Sequence, residues 1–162
     1  MTAALQRKLV IGDDSLCVLL TVSAAREKLP GHDEDDLLAL CQDKFIAVAF
    51  DIGLGGRREL RLLPSAVEFY RKTFGSRRGN ANCNANWADA WAEITRGFNA
   101  EKPWFDGERL RHVLCCSATH ITNLVDEGWL AEMPGTAYRR GPGGAPKITR
   151  ASLERFLKGA RV

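Results

Sequence analysis

The sequence predicts a mostly α-helical chain with small β-hairpins, built as two similar units joined by a linker that carries an amphipathic helix. Three observations predict it. Apolar residues recur at i, i+3, i+4 in short stretches that begin with good capping residues, the spacing of one helix face. Two Gly-rich tips, "GLGGRR" and "PGTAYRRGPGGAP", are flanked by short apolar pieces and read as hairpins. The order of these features in residues 20–70 returns in residues 104–159.

Bulk properties narrow the class. The chain has 162 residues, enough for one ordinary domain or two small ones, and 45% apolar with 27% charged residues is a globular composition. No run of about 18 apolar residues is present, so no membrane span is expected. The first residues, "MTAALQRKLVIGDDSL", lack the long apolar core of a secretory signal. Cys17, Cys41, Cys83, Cys115 and Cys116 form an odd set without regular spacing, which points to free thiols in a reducing cytoplasm. The net charge of +3 is too small to imply nucleic acid, but it is unevenly distributed. Residues 1–70 hold 8 Lys/Arg against 11 Asp/Glu, whereas residues 105–162 hold 9 against 6, so the chain is acidic in front and basic behind.

Residues 1–74 form the first expected unit. "LTVSAAREKL" and "DEDDLLALCQDKFIAV" read as two short helices, "GLGGRR" as a hairpin tip, and "LLPSAVEFY" as a third helix. The second helix starts in "HDEDD", where Asp33, Glu34, Asp35 and Asp36 suit the positive end of a helix dipole and would be repelled by phosphates. This unit is expected to serve a dimer or protein-partner contact through those four carboxylates, with Arg57, Arg58 and Arg61 still near a backbone.

Residues 75–103 open with the Gly/Asn-rich linker "GSRRGNANCNAN". Trp87, Trp91, Ile94 and Phe98 then recur at i, i+4, i+7, i+11, the stripe of an amphipathic helix weakened near its end by Gly97. Two Trp on one face suggest a dimer or partner contact at Trp87 and Trp91, against the alternative of packing within the chain.

Residues 104–162 form the second unit. Asp106 caps "GERLRHVL", in which Leu110, Val113 and Leu114 share a face. Only Cys115 and Cys116 separate it from the helix that Ser117 starts and Gly128 stops, with Ile121, Leu124 and Val125 inward. Two short amphipathic helices with so tight a connection cross steeply, a helix-turn-helix. "WLAEM" and "KIT" flank the second tip, and Thr149 caps a last helix with Leu153, Phe156 and Leu157 on one face.

The pattern "SATHITNLVDEGWL", a hairpin and the terminal "ITRASLERFL" resemble the excisionase/MerR-type winged helix-turn-helix family over residues 104–159. The resemblance implies that helix 117–127 enters the major groove of double-stranded DNA and that wing 134–146 touches the backbone or minor groove. The outward residues Thr119 and Asn123, flanked by His120 and Thr122, then meet base edges, since Asn pairs bidentately with adenine and Thr can touch a thymine methyl. Ser117 opens the helix, whose first N–H groups suit a phosphate. Tyr138, Arg139 and Arg140 on the wing, Arg109 and Arg111 on the preceding helix, and Lys147 supply backbone contacts. Asp126 and Glu127 depart from the family, which often has a basic residue there.

Residues 20–70 align with this unit as a degenerate copy: Thr21 with Asp106, Leu37 and Leu40 with Ile121 and Leu124, Phe45 and Ile46 with Trp129 and Leu130, and Val67 and Tyr70 with Leu153 and Phe156.

Other chemistry is weaker. "HxxCCxxxH" (His112, Cys115, Cys116, His120) lacks finger spacing, and adjacent cysteines do not easily share one tetrahedral ion or bridge each other. Neither Gly-rich stretch has the Lys-Ser/Thr of a phosphate loop, and no nucleophile stands with a base. No catalytic set, metal or cofactor is expected. The expected function is a cytoplasmic, nucleoid-associated, sequence-specific DNA-binding protein, either a transcriptional regulator or an excisionase-like recombination or architectural factor. The other reading is a protein-interaction adaptor built from repurposed winged units.

Overall fold

The computed structural model describes residues 16–74, 86–134 and 146–162. About half of these residues are helical, and two small two-stranded antiparallel sheets accompany the helices. In chain order the elements are α1 (Val22–Lys28), α2 (Glu34–Gln42), β1 (Ala49–Asp51), β2 (Leu60–Leu62), α3 (Pro64–Phe74), α4 (Trp87–Ile94), β3 (Trp104–Asp106), α5 (Gly107–Leu114), α6 (Ala118–Asp126), β4 (Lys147–Thr149) and α7 (Arg150–Ala160). The expected wing residues Tyr138, Arg139 and Arg140 lie outside the described residues, as does most of the 75–86 linker.

Short polar side chains start most of these helices by accepting otherwise orphaned N–H groups. Thr21 starts α1, Asp106 α5, Ser117 α6 and Thr149 α7. Asp33 accepts from Asp36 N while the Asp36 carboxylate accepts from Asp33 N, a reciprocal box at the start of α2. The acidic stretch of the first unit is thus built into a helix start.

The same backbone events occur twice. Asp43 N–H donates to Ala39 O at 2.9 Å, and Glu127 N–H to Asn123 O at 2.9 Å. The next residue is left-handed in both places, Lys44 at φ 64° and Gly128 at φ 83°. Phe45 and Ile46 N–H then return to Leu40 O at 2.9 and 3.1 Å, and Trp129 and Leu130 N–H return to Leu124 O at the same two distances. Leu20 bridges Leu62 as Phe105 pairs with Ile148. α3 and α7 are both 11 residues long. From cap to cap, the first helix pair is one residue longer (Thr21 to Asp33 against Asp106 to Ser117).

Two details differ from the sequence reading. Besides the bridge between Glu132 and Ile148, β4 pairs along its whole length with β3, the segment just before α5. The amphipathic helix ends at Ile94: the chain turns at Thr95, and Phe98 N–H donates to Thr95 O at 3.0 Å. Phe98 still reaches the core, edge-on to Phe105 at 4.7 Å.

One hydrophobic core runs through both halves. α4 joins them. Trp87 meets Phe50 of β1 edge-on at 6.2 Å, stacks on Trp91 at 5.9 Å, and Trp91 meets Phe105 of β3 at 6.0 Å. Trp87 Nε1 donates to Glu154 on α7 at 3.0 Å. The tryptophans expected at a dimer or partner contact are therefore packed within the chain, each aromatic pair adding about 0.5–1.5 kcal/mol beyond its buried area. Arg161 bridges Phe50, and Val162 N–H donates to Ala49 O at 3.0 Å, so the end of α7 closes the free edge of β1. No helix among the described residues is long and apolar enough to cross a membrane.

Candidate nucleic-acid interface

The site begins with the tight turn between α5 and α6. Cys115 takes the left-handed conformation (φ 51°, ψ 49°), and Cys116 N–H donates to Arg111 O at 3.0 Å. Ser117 Oγ accepts from His120 N at 3.1 Å and starts α6. Ile121 and Leu124 are buried, which turns Ser117, Thr119, Asn123 and Asp126 to solvent.

Three contacts fasten this turn to the first half of the chain. Leu19 N–H donates to Val113 O at 2.8 Å. Arg61, in the middle of β2 and only 8% exposed, donates from Nε to Leu114 O at 2.8 Å and from Nη2 to Cys115 O at 2.9 Å. Its Nη1 donates to Leu60 O at 3.0 Å. The His120 ring, through Nε2, bonds Ile52 O at 2.7 Å; carbonyl oxygen only accepts, so Nε2 carries the hydrogen. Arg61 and His120 thus hold the two halves together, where the sequence reading placed one near a DNA backbone and the other at a base edge.

The β1–β2 connection lies beside α6 as a result. Asp51 Oδ1 accepts from Gly53 N and Glu59 N, both at 3.0 Å, and closes the loop. Gly53 is obligatory: a Cβ there would stand 1.7 Å from Arg57 O. Arg57 and Arg58 are exposed near the tip, Arg58 3.8 Å from the Asp51 carboxylate. Between the loop and the turn lies a polar cleft of about 530 Å³, lined by Glu59, Arg61, Arg111, His112, Ser117 and His120 among others.

The remaining expected contact residues are distributed as follows. Arg111 is paired with Glu108 at 2.6 Å, and that guanidinium holds the Glu108 carboxyl below its ordinary range. Arg109 reaches Gly97 O at 3.3 Å. Lys147 sits over the Trp104 ring at 4.5 Å, an aromatic platform it shares with Lys102. The Thr122 hydroxyl donates back to Ala118 O at 3.1 Å. Asp33, Glu34, Asp35 and Asp36 are exposed.

Burial pushes the thiols of Cys17 and Cys116 up to about 11 and that of Cys41 up to about 12, so all three stay protonated at neutral pH. Among the described residues no group of His, Cys, Asp or Glu is placed to hold a metal ion.

Sequence reasoning missed the role of Arg61. The signal was there: an arginine inside the apolar run "ELRLL" must find acceptors if that run is buried. His120 gave no comparable signal, because its acceptor is a main-chain carbonyl 68 positions away.

No protein-family model matches the chain, and no curated protein or solved structure matches it.

Proposed function

We propose that this chain is a sequence-specific double-stranded-DNA-binding protein of winged helix-turn-helix type, with α6 as the helix that reads the major groove. One observation carries the reading. α6 follows α5 through a three-residue turn and presents a capped start with Thr119 and Asn123 exposed side by side. Its outward face is short and hydrogen-bonding, free of bulky apolar groups, and so suits base edges. Base reading falls to Thr119 and Asn123, with the helix start at Ser117 available to a phosphate. Thr122, half-buried and bonded back to its own helix, is a flanking contact. Arg109, Arg111 and Lys147, with Tyr138, Arg139 and Arg140, are assigned to the backbone. The reading covers both a promoter regulator and a recombination or architectural factor.

The test uses the full chain on random duplex DNA, with selection of bound sequences and a salt titration. Asn123→Ala is expected to lose about 1–3 kcal/mol at one base position and to relax the preference there. An unchanged preference would remove Asn123 from the groove.

One observation favours a second reading, a protein-interaction adaptor. Trp129 is 54% exposed beside Leu54 and Phe156, an apolar patch of the kind partners cover. Binding through that patch would be nearly insensitive to salt, whereas DNA affinity falls steeply with it.

A further inference from the structure

We propose that the first half of the chain takes part in the DNA contact of the second, with the loop at 53–58 meeting the phosphate backbone on the His120 side of α6 through Arg57 and Arg58. The inference rests on the proposed groove reading and adds a backbone contact to it.

The outward face of α6 carries no cation of its own: Thr119 and Asn123 are neutral and Asp126 is acidic. Phosphates beside a helix in the major groove must then be met from neighbouring elements. On one flank the structure supplies such an element. Ile52, where the loop departs, is bonded to His120 on the first turn of α6 at 2.7 Å. Glu59, where it returns, lines the same cleft as Ser117 and His120. One end of the loop is therefore bonded to the start of α6, and the other faces it across the cleft.

The tip between them has a set shape. Gly55 and Gly56 take φ of 63° and 78°, and Asp51 clasps the two ends. Arg57 and Arg58 follow the glycines, both exposed, and among the described residues no carboxylate pairs with Arg57. The Glu59 carboxylate is 3.4 Å from the buried Arg61, which offsets its charge. A guanidinium suits phosphate oxygens through its fork of N–H donors.

The experiment compares full-length variants on duplex DNA selected by the parent chain and on random duplex, titrating salt. Arg57→Ala with Arg58→Ala should weaken both duplexes alike. It should flatten the salt dependence by about 0.9 log units per log salt for each phosphate that is no longer neutralised. Arg57→Glu, which leaves the Arg58–Asp51 pair intact, should weaken binding on its own. The control, Arg26→Ala with Lys28→Ala, removes the same charge beside the acidic start of α2 and should change little. If the loop variants behave like this control while Asn123→Ala still alters base preference, the loop contact is overturned and the groove reading stands. If the parent chain fails to hold duplex DNA even at low salt, both fall together.

Discussion

Arg61 shows how much one side chain can fix. It is an arginine in the middle of a buried strand, and its guanidinium is spent on main-chain oxygens at 2.8 to 3.0 Å, those of Leu114, Leu60 and Cys115. Two of these are carbonyls that the end of α5 leaves without helical partners, and a positive charge is favourable at that end of a helix dipole. Arg61→Met keeps the aliphatic stem and removes every donor. It should cost about 2–4 kcal/mol, read as a lower urea midpoint, because the buried Leu114 and Leu60 carbonyls and the part-buried Cys115 carbonyl lose charge-assisted bonds. Arg61→Lys should recover only part of this, since one ammonium cannot span both oxygens. A midpoint unchanged in Arg61→Met would mean that water satisfies those carbonyls and that the fastening lies elsewhere.

Among the elements, α2 and α6 are the instructive pair. They occupy corresponding places, end in the same hydrogen-bond pattern, and differ most at their starts: Asp33 with three further carboxylates against Ser117 with none. Ser and Asp cap about equally well. Ser117→Asp should therefore keep thermal stability within about 0.5 kcal/mol of the parent while, on the proposed groove reading, lowering duplex-DNA affinity by about tenfold, since a carboxylate would then face a phosphate. Equal loss of both, or of neither, would detach the start of α6 from DNA. The starts at Thr21, Asp106, Ser117 and Thr149 were legible in the sequence, as were the inward Ile121 and Leu124, because capping and i, i+3, i+4 spacing act over a few residues. The pairing of β3 with β4 was not legible. Trp104–Asp106 is three residues long and meets strand partners more than forty positions away. Nor was the end of α4 at Ile94, where the apolar stripe continues to Phe98 but the backbone has already turned. Of the site, the exposed Thr119 and Asn123 could be read in advance, whereas the diversion of His120 to Ile52 O depends on the approach of the other half.

For the whole molecule, the shared core predicts one unfolding event. Phe50, Trp87, Trp91 and Phe105 form a chain of ring contacts that crosses from the first half to the second. A fragment of residues 100–162 would lose Trp91 from Phe105, Trp87 from Glu154, Arg61 from the α5 turn and Ile52 O from His120. It should show weak helical circular dichroism and no cooperative melt, while the full chain melts in a single transition. A cooperative transition in the fragment would show that the second half is stable by itself and that the contacts between halves are secondary. The repeated backbone pattern thus describes two units in outline and one in stability.

The seam between β1 and the end of α7 has a consequence for synthesis. Ala49 and Phe50 leave the ribosome more than a hundred residues before Arg161 and Val162, their partners on that side. At about 5–20 residues per second, this is a wait of roughly 5 to 20 s. Throughout that interval the nascent first half exposes a bare strand edge next to an apolar ring, a surface on which neighbouring nascent chains could pair. Slowing elongation through residues 60–160 should lower the yield of soluble chain, and a chaperone that covers extended segments should restore it.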